Sequence, residues 1–334
     1  MSEYINIKGQ QIKILSSDPS NPTLGQLWYN TTVKELRTRA FFEGWASGAN
    51  MGQGKYNGGA AGIQTAALAY GGNQPGVAPN GSPPGNVKTE EYDGSSWTAG
   101  GNMSPQKSLM GSFGTQTAAM AAGGTNPPIT NTTQEYDGTS WTAGPNLGTG
   151  RYRLQGATGI LTAGIVFGGR IGPPTFAISS ATEEYDGSSW TAGGALSNGR
   201  QQLGAAGTQT AALGFGGDDT VSPTLALTEE YNGTSWTAGG NLGTARYGPG
   251  GSGIQTAALA FGGSPYAITD NTESYNGTSW SASKNLLSSK RSLMGTGAQD
   301  AGMAIGGTPA PQVLTQEFDI STGTRNFPYV PTGQ

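Results

Sequence analysis

Short runs of small apolar residues alternate with polar, turn-forming residues along most of the chain, and the same phrases return at a nearly fixed spacing. A phrase reading Tyr-Asp/Asn-Gly-Ser/Thr-Ser-Trp occurs five times, roughly every 46 residues, a period typical of repeat architectures. Its tryptophans are Trp97, Trp141, Trp190, Trp236 and Trp280. A second phrase of small apolar residues, ending in Gly-Gly, precedes each copy and occurs a sixth time at Gly306-Gly307. The period predicts six copies of one structural unit.

Each repeat divides into four short segments with strand character. In the fourth repeat, residues 200–207 and 210–217 are rich in Ala and Gly, and a Thr-Glu-Glu-Tyr run precedes the segment that contains Trp236. Asn232 and the glycine after it can form a turn, since both tolerate positive φ. Ala and Gly are poor strand formers, so the first two strands are expected to pack closely on both faces. The pattern predicts an all-β fold built from four-stranded sheets.

The order of these signals, a basic residue, then Gly-Gly, then Tyr-Asp and then Trp, resembles the kelch motif over about residues 52 to 327. The resemblance implies a six-bladed kelch-type β-propeller with one four-stranded blade per repeat. The sixth repeat departs from the motif, because residues 318–327 contain no Trp. Residues 45–51 resemble the missing fourth strand, so we expect this N-terminal strand to close the propeller and leave no open sheet edge. A seventh blade built from residues 26–51 is the alternative, although that stretch has no Ala-rich strand and no Gly-Gly.

Three segments are predicted along the chain. Residues 1–40 form a short N-terminal attachment or adaptor arm and a hairpin, because residues 26–39 contain two strand-like runs around Asn30-Thr31-Thr32. Residues 41–327 form the propeller, and residues 328–334 form a C-terminal tail.

Composition narrows the classes of function. Hydrophobic residues make up 34% of the chain, but the recurring aromatic residues and a net charge of only -4 argue against disorder. The pI of about 4.9 argues against a nucleic-acid partner. No segment approaches the roughly 18 apolar residues of a membrane helix, and the N-terminus lacks the basic and apolar run of a secretory signal. We therefore expect that the protein does not insert into a membrane and that it is made without a signal peptide.

The chain contains no histidine and no cysteine, which removes the commonest general base, thiolate chemistry and the ordinary zinc ligands. The acidic residues lie mainly in the repeated strands and turns, so they do not predict a pair of catalytic carboxylates in a pocket. Asp218 and Asp219 could help to bind a cation through oxygen ligands, but one adjacent pair is too little to predict a metal site. We expect no enzyme activity, no catalytic residue and no cofactor.

One basic residue precedes the first strand of every repeat, and one Glu is assigned to every third strand. The basic residues are assigned as Lys55, Lys107, Arg151, Arg200, Arg246 and Arg291. The glutamates are assigned as Glu91, Glu135, Glu184, Glu230, Glu273 and Glu317. These residues could hold an anion, or they could pair within and between repeats. Repetition in every unit favours pairing, and it likewise places most of the Tyr and Trp side chains in the core.

The segments between the second and third strands differ between repeats, and in four-stranded blades they all emerge on one face. They cover residues 73–88, 125–133, 170–181, 218–227, 264–271 and 308–314. A rigid scaffold that displays variable loops is a recurrent arrangement for recognition, although neutral drift would also produce such variation. The candidate ligand contacts are Arg170, Phe176, Asp218, Asp219 and Tyr266.

As a whole, the sequence resembles kelch-like repeat proteins of marine and cyanobacterial tailed bacteriophages. The resemblance is carried by the opening at residues 22–30, Pro-Thr-Leu-Gly-Gln-Leu-Trp-Tyr-Asn, and by the near-identical repeat phrases. It implies a virion structural protein made in the host cytoplasm, in a tail fibre or another appendage, whose propeller loops contact a glycan or protein on the host surface. The opening, with Leu27, Trp28 and Tyr29, would attach it to other tail or appendage proteins, and a homo-oligomer is compatible with this role.

Two further classes of function stay open. One is an intracellular protein–protein interaction scaffold that uses the same loops, and the other, ranked third, is a carbohydrate-active enzyme.

Overall fold

A computed structural model of the chain describes residues 4–7, 10–23, 25–74, 86–125, 128–264 and 266–328. The described residues form β-strands and turns, and they include no helix, so none that could span a membrane. The predicted C-terminal tail lies outside the described residues except for Pro328. Residues 75–85 of the first variable loop also lie outside them. The chain divides into two compact units, residues 1–43 with 319–334 and residues 44–318.

The first unit contains β1 (Tyr4–Ile7), β2 (Gln10–Leu15), β3 (Leu27–Asn30) and the first part of β4 (Glu35–Ser47). β1 and β2 pair antiparallel, β2 and β3 pair parallel, and β3 and β4 form a hairpin across residues 31–34. The hairpin expected over residues 26–39 is present, and the arm before it contains two strands that were not predicted. Trp28 and Ile12 are buried in this unit.

The second unit is built from repeated four-stranded antiparallel sheets. The strands of its first three repeats are β5 (Gly59–Ile63), β6 (Ala66–Tyr70), β7 (Thr89–Tyr92), β8 (Trp97–Ala99), β9 (Gly111–Thr115), β10 (Ala118–Ala122), β11 (Thr133–Tyr136), β12 (Trp141–Gly144), β13 (Arg151–Tyr152), β14 (Ala157–Ile160), β15 (Ala163–Phe167), β16 (Arg170–Ile171), β17 (Thr182–Tyr185) and β18 (Trp190–Gly193). Those of the last three are β19 (Gly204–Thr208), β20 (Ala211–Phe215), β21 (Thr228–Tyr231), β22 (Trp236–Ala238), β23 (Gly250–Ile254), β24 (Ala257–Phe261), β25 (Thr272–Tyr275), β26 (Trp280–Ala282), β27 (Met294–Gly297), β28 (Ala301–Ile305) and β29 (Thr315–Pro328). β13 and β16 form a separate short pair, and strand order in each repeat follows the chain. This all-β arrangement is consistent with a β-propeller.

The first strand of each sheet packs against the first strands of two other sheets. β5 contacts β9, β9 contacts β14, β14 contacts β19, β19 contacts β23, β23 contacts β27, and β27 contacts β5. These contacts exclude larger side chains, because a Cβ on Gly251 would lie 2.4 Å from the Ala205 carbonyl oxygen. A Cβ on Gly295 would likewise lie 2.4 Å from the Gly251 carbonyl oxygen. Close packing therefore explains the Ala and Gly content of these strands.

The Gly-Gly pair ends the second strand because both residues adopt positive φ. Gly216 and Gly217 have φ of 65° and 94°, and the Gly217 N–H donates to the Arg246 carbonyl at 2.9 Å. A Cβ on Gly216 would lie 2.6 Å from that same carbonyl oxygen. The pair turns the chain out of the sheet and ties it to the next repeat.

The third and fourth strands are joined by four-residue turns that an Asp or Asn side chain stabilises. Asp93 accepts hydrogen bonds from the N–H groups of Ser95 and Ser96 at 2.8 and 2.7 Å. The Ser95 hydroxyl and these N–H groups lower the pKa of Asp93 to about 2. Because the strands alternate in direction, these turns lie at one end of each sheet, which we call the turn face. The Gly-Gly loops and the connections between repeats lie at the other end, the loop face.

Residues 44–51 lie beside β29 at the end of the sixth repeat. The Gly48 N–H donates to the Thr315 carbonyl at 3.0 Å, and Trp45 packs on Phe318 with a distance of 5.3 Å between ring centroids. The strand order is β4-β29-β28-β27. The segment therefore has the place next to the third strand that the fourth strand has in the other repeats.

Candidate functional site

The basic residues before the first strands are buried, and each connects parts of its own repeat by hydrogen bonds; we call such a connection a joint. Arg200 is completely buried, and its Nη1 donates to the carbonyl oxygens of Gly216 and Leu227, both at 2.9 Å. Its Nη2 donates to Glu229 at 2.8 Å. Equivalent ion pairs join Lys55 to Glu90, Arg151 to Glu183 and Arg246 to Glu273. These charges hold the Gly-Gly turn to the third strand, so their recurrence is explained by structure and requires no anion.

In the sixth repeat this buried position is held by Lys290, four residues before β27, just as Arg200 lies four residues before β19. Lys290 is 1% exposed, and its ammonium group donates to the carbonyl oxygens of Pro309 and Pro311. The assignment of Arg291 to the buried position is therefore wrong. The Arg291 guanidinium instead donates to the Tyr247 hydroxyl, where it is available to a ligand on the loop face.

A second joint connects the tyrosines of the third strands to glutamates of the preceding repeat. The tyrosine hydroxyls donate from Tyr136 to Glu91, Tyr185 to Glu135, Tyr231 to Glu184, Tyr275 to Glu230 and Tyr92 to Glu317. Burial, together with the neighbouring carboxylate, raises the pKa of Tyr231 to about 12. Glu273 lies on the third strand as predicted, but it is not part of this set, because it pairs with Arg246 and Ser274 takes the equivalent position.

A third joint is formed by the tryptophans. Indole N–H groups donate from Trp141 to Thr89, Trp236 to Thr182, Trp280 to Thr228, Trp97 to Thr315 and Trp45 to Thr272, over 2.8 to 3.1 Å. Trp190 donates to the Pro145 carbonyl oxygen at 3.0 Å instead. The repeated aromatic residues thus belong to the contacts between sheets, and none of these three joints is a candidate ligand site.

The residue two positions after each buried basic residue is different in every repeat. These positions hold Asn57, Leu109, Arg153, Gln202, Gly248 and Ser292, all with φ between 52° and 62°. Positive φ is uncommon for residues other than glycine, so one unusual backbone conformation is kept in all six repeats. The six side chains all differ. A fixed backbone with divergent side chains is the arrangement expected of a recognition surface.

Five of these positions, all except Gly248, line a cavity of about 410 Å³ on the loop face, which we call the loop-face cavity. Its lining includes Asn57, Leu109, Arg153, Asp218, Tyr247 and Arg291. Each of these six residues comes from a different repeat. The site is therefore a property of the whole second unit.

Two residues that line the loop-face cavity each have one buried oxygen without a hydrogen-bond partner among the described residues. These are the carboxamide oxygen Asn57 Oδ1 and the carboxylate oxygen Asp218 Oδ1. The other carboxylate oxygen of Asp218 accepts from Gln201 Nε2 at 2.7 Å. Burial raises the pKa of Asp218, although its hydrogen bond to Gln201 and the charge of Arg153 act in the opposite direction. An unsatisfied buried acceptor is costly, but both oxygens are enclosed by protein atoms, so a ligand in the cavity does not contact them.

An apolar cavity of about 310 Å³ lies beside the loop-face cavity. Its lining includes Leu109, Pro128, Ile129, Tyr152, Pro173 and Phe176, and Leu109 lines both cavities. Phe176 is 46% exposed and has a φ of 47°. Its carbonyl oxygen accepts from Arg170 Nε at 2.8 Å, and the Arg170 guanidinium lies 5.9 Å from its ring centroid. Arg170 therefore holds Phe176 in place at the edge of this cavity.

The other predicted contact residues lie elsewhere. Asp219 accepts from the N–H groups of Val221 and Ser222 at 2.8 and 2.5 Å, which shapes its own loop. Tyr266 is 90% exposed and lines neither cavity.

The three residues proposed for attachment lie on β3 of the first unit. Trp28 is completely buried, and its indole N–H donates to Asp18 at 2.9 Å. Leu27 and Tyr29 are half-buried. Trp28 therefore acts within the core of this unit, and any contact with a partner falls to its two neighbours.

The segment that leads into β14 of the third repeat contains one residue more than its counterparts. Gln155 lies between Leu154 and Gly156, and the Ala157 N–H donates to its carbonyl oxygen at 2.9 Å. Both side-chain amide atoms of Gln155 are buried and lack a partner among the described residues. They line a cavity of only about 50 Å³ between the inner strands, which is too small for most ligands.

No group of three or more metal-ligating side chains occurs in the described part of the chain. The chain matches no protein-family model and no curated protein.

Proposed function

We propose that the second unit is a six-bladed kelch-type β-propeller closed by residues 45–51. The proposal is supported by the indole hydrogen bonds, because Trp45 reaches the fifth repeat and Trp97 reaches the sixth in the same way that each internal repeat reaches its predecessor. It is also supported by the contact between β27 and β5, the inner strands of the last and first repeats. A seventh blade would need residues 44–51 for a sheet of their own, but these residues lie against β29.

We further propose that the chain is a virion structural protein of a tailed bacteriophage, in a tail fibre or another appendage. In this proposal the first unit attaches the protein to neighbouring virion proteins, and the loop face recognises a glycan or protein on the host surface. The phage setting rests on the resemblance carried by residues 22–30 and by the repeat phrases. Recognition rests on one observation above all: six positions share one left-handed backbone conformation and carry six different residues, five of which line one cavity.

The geometry favours binding over catalysis. Hydrolysis of a glycosidic bond ordinarily needs two carboxyl groups that face the substrate. Asp218 is the single acidic residue in the lining of the loop-face cavity, within the described part of the chain. We therefore propose no enzymatic role for this site.

Mass spectrometry of purified phage particles, followed by antibody labelling under the electron microscope, tests the virion proposal. We expect the chain among the particle proteins and the label on the tail or an appendage. A phage replication enzyme, measured in the same preparation, controls for carry-over from the lysate. Absence of the chain from particles that contain their other tail proteins would refute the proposal, and a stable complex with a cellular protein would then support the intracellular scaffold.

A further inference from the structure

We propose that the loop-face cavity is a saccharide site that binds one sugar ring through its hydroxyl groups, while the apolar cavity binds the C–H face of the next ring. The inference deepens the proposed function, since it chooses a glycan over a protein as the surface ligand.

The first argument is the balance of donors and acceptors. Asp218 brings a carboxylate to the cavity, and Arg153 and Arg291 supply only donors to it. A hydroxyl group donates one hydrogen bond and accepts others, so neighbouring hydroxyls on a sugar ring can pair with the carboxylate and with the guanidinium groups. An inorganic anion would be repelled by Asp218. A cation would be repelled by the two guanidinium groups.

The second argument is that the polar groups are already held in place. Asp218 is fixed by Gln201 through its side chain and through two backbone hydrogen bonds of 3.0 Å each. Arg291 is held by the Tyr247 hydroxyl. Groups that are ordered before binding lose little conformational entropy when a ligand binds, which favours a small polar ligand that makes few apolar contacts.

The third argument concerns size and the shared wall. A volume of about 410 Å³ lies at the lower end of the range for small-molecule sites, roughly 300 to 1000 Å³. The adjoining cavity of about 310 Å³ presents Tyr152 and Phe176, and aromatic rings offer a large apolar surface to a C–H face. Because Leu109 lines both cavities, one ligand of two linked rings can reach both. A single ring can reach only one.

Titration of the purified full-length chain with sugars tests the proposal. The probes are methyl glycosides of glucose, galactose, mannose and N-acetylglucosamine, the corresponding β1-4 and α1-4 disaccharides, and sodium phosphate. Calorimetry measures affinity, and saturation-transfer NMR identifies which ring protons lie at the protein surface. We expect at least one disaccharide to bind, its monosaccharide to bind at least tenfold more weakly, and phosphate not to compete.

Three variants locate the site. Asp218→Asn should weaken disaccharide binding by about tenfold, because hydrogen bonds to a charged group are stronger than those to a neutral one. Phe176→Ala should weaken the disaccharide and leave the monosaccharide unchanged. Asp300→Asn makes the same chemical change on an exposed turn-face residue and should leave both affinities unchanged. If Asp218→Asn fails to fold, Arg291→Lys tests the same cavity and should also weaken binding.

Failure to bind any of these sugars, binding that Asp218→Asn and Arg291→Lys leave unaltered, or displacement by phosphate would each overturn the saccharide site. The result is separable from the virion proposal. Host attachment through the loop face without sugar binding would keep the proposed function and point to a protein receptor. Sugar binding by a chain that is absent from particles would keep the saccharide site and refute the virion role.

Discussion

At the scale of single residues, the tyrosine and the glutamate that connect neighbouring repeats are either both present or both absent. Five tyrosine hydroxyls donate to a glutamate of the preceding repeat. The sixth repeat has Phe318 in place of the tyrosine, and the fifth has Ser274 in place of the glutamate that this tyrosine would meet. The donor and the acceptor are therefore lost at the same junction. This is expected if an unpaired partner is costly, because a buried donor or acceptor without a hydrogen bond destabilises the fold.

A double-mutant cycle at this junction tests the pairing. Phe318→Tyr alone buries a hydroxyl and Ser274→Glu alone places a carboxylate beside a phenyl ring, so each should destabilise the protein. Together they should recover stability, with a favourable coupling of about 1 to 2 kcal/mol measured by urea unfolding. Combining Phe318→Tyr with Thr191→Glu, an exposed position in the third repeat, should give additive effects. Additive effects at the first pair would show that the fifth and sixth repeats do not meet as the others do.

The joints also mark where prediction from the sequence succeeds and where it fails. Repetition correctly indicates that the basic, acidic and aromatic residues pair within the fold, because a site for one ligand would not be copied into every repeat. It fails at Arg291, since Lys290 and Arg291 are adjacent and only the backbone conformation decides which side chain points inward. In the fifth repeat, Glu273 is the third-strand residue that pairs with Arg246, and Ser274 holds the position that meets a tyrosine in the other repeats. Neighbouring residues on a strand face opposite directions, so a shift of one residue changes which group a side chain meets.

At the scale of elements, the decisive feature is the part of β4 that follows Gly44. Trp45 is 8% exposed, as is Trp236 in the fourth repeat, and each donates its indole N–H to a threonine hydroxyl, at 3.1 and 2.9 Å. A strand from the N-terminus thus makes the contacts of a repeat strand, although it lies far from the sixth repeat in sequence. The Trp-Ala-Ser-Gly-Ala-Asn-Met run at residues 45–51 predicts this from its likeness to the repeat phrase.

Equal destabilisation by Trp45→Ala and Trp236→Ala would support closure by this strand. Each substitution removes a large buried ring and should lower the free energy of unfolding by about 3 to 5 kcal/mol. Denaturant unfolding of the two variants beside the wild type gives the comparison. A cost below about 1 kcal/mol for Trp45→Ala, with the full cost for Trp236→Ala, would mean that the N-terminal strand is not an integral part of the sheet.

Other elements could not be foreseen. The extra residue Gln155 lies in the segment before β14, and nothing in the local sequence separates an insertion there from a shift in the loop before it. The cavity residues Asn57, Arg153, Tyr247 and Arg291 were not predicted either, because they lie in the connections after the fourth strands, outside the variable loops. The position two residues after the buried basic residue, which holds Asn57 and Arg153, differs in all six repeats, but the positions on either side of it vary as well. The sequence alone therefore does not single it out.

At the scale of the whole molecule, the repeats of the second unit present the same side chains at one end and different side chains at the other. The turn face repeats Asp/Asn-Gly-Ser/Thr-Ser turns, which offer the same groups five times. The loop face brings together one side chain from each repeat around a single cavity. Such a cavity exists only when all six repeats are assembled. A ligand bound there would contact several repeats at once and would stabilise the assembled unit.

Binding of the purified chain to host cells tests this account most directly. Labelled wild-type protein should bind saturably, and the double variant Arg153→Glu/Arg291→Glu, which reverses two charges on the loop face, should bind at least tenfold more weakly. Thr256→Glu, which adds a carboxylate at an exposed turn-face residue, should bind as the wild type does, and circular dichroism should show that both variants are folded. Equal binding by the wild type and a folded loop-face variant, or loss of binding in the Thr256→Glu protein alone, would contradict recognition through the loop face.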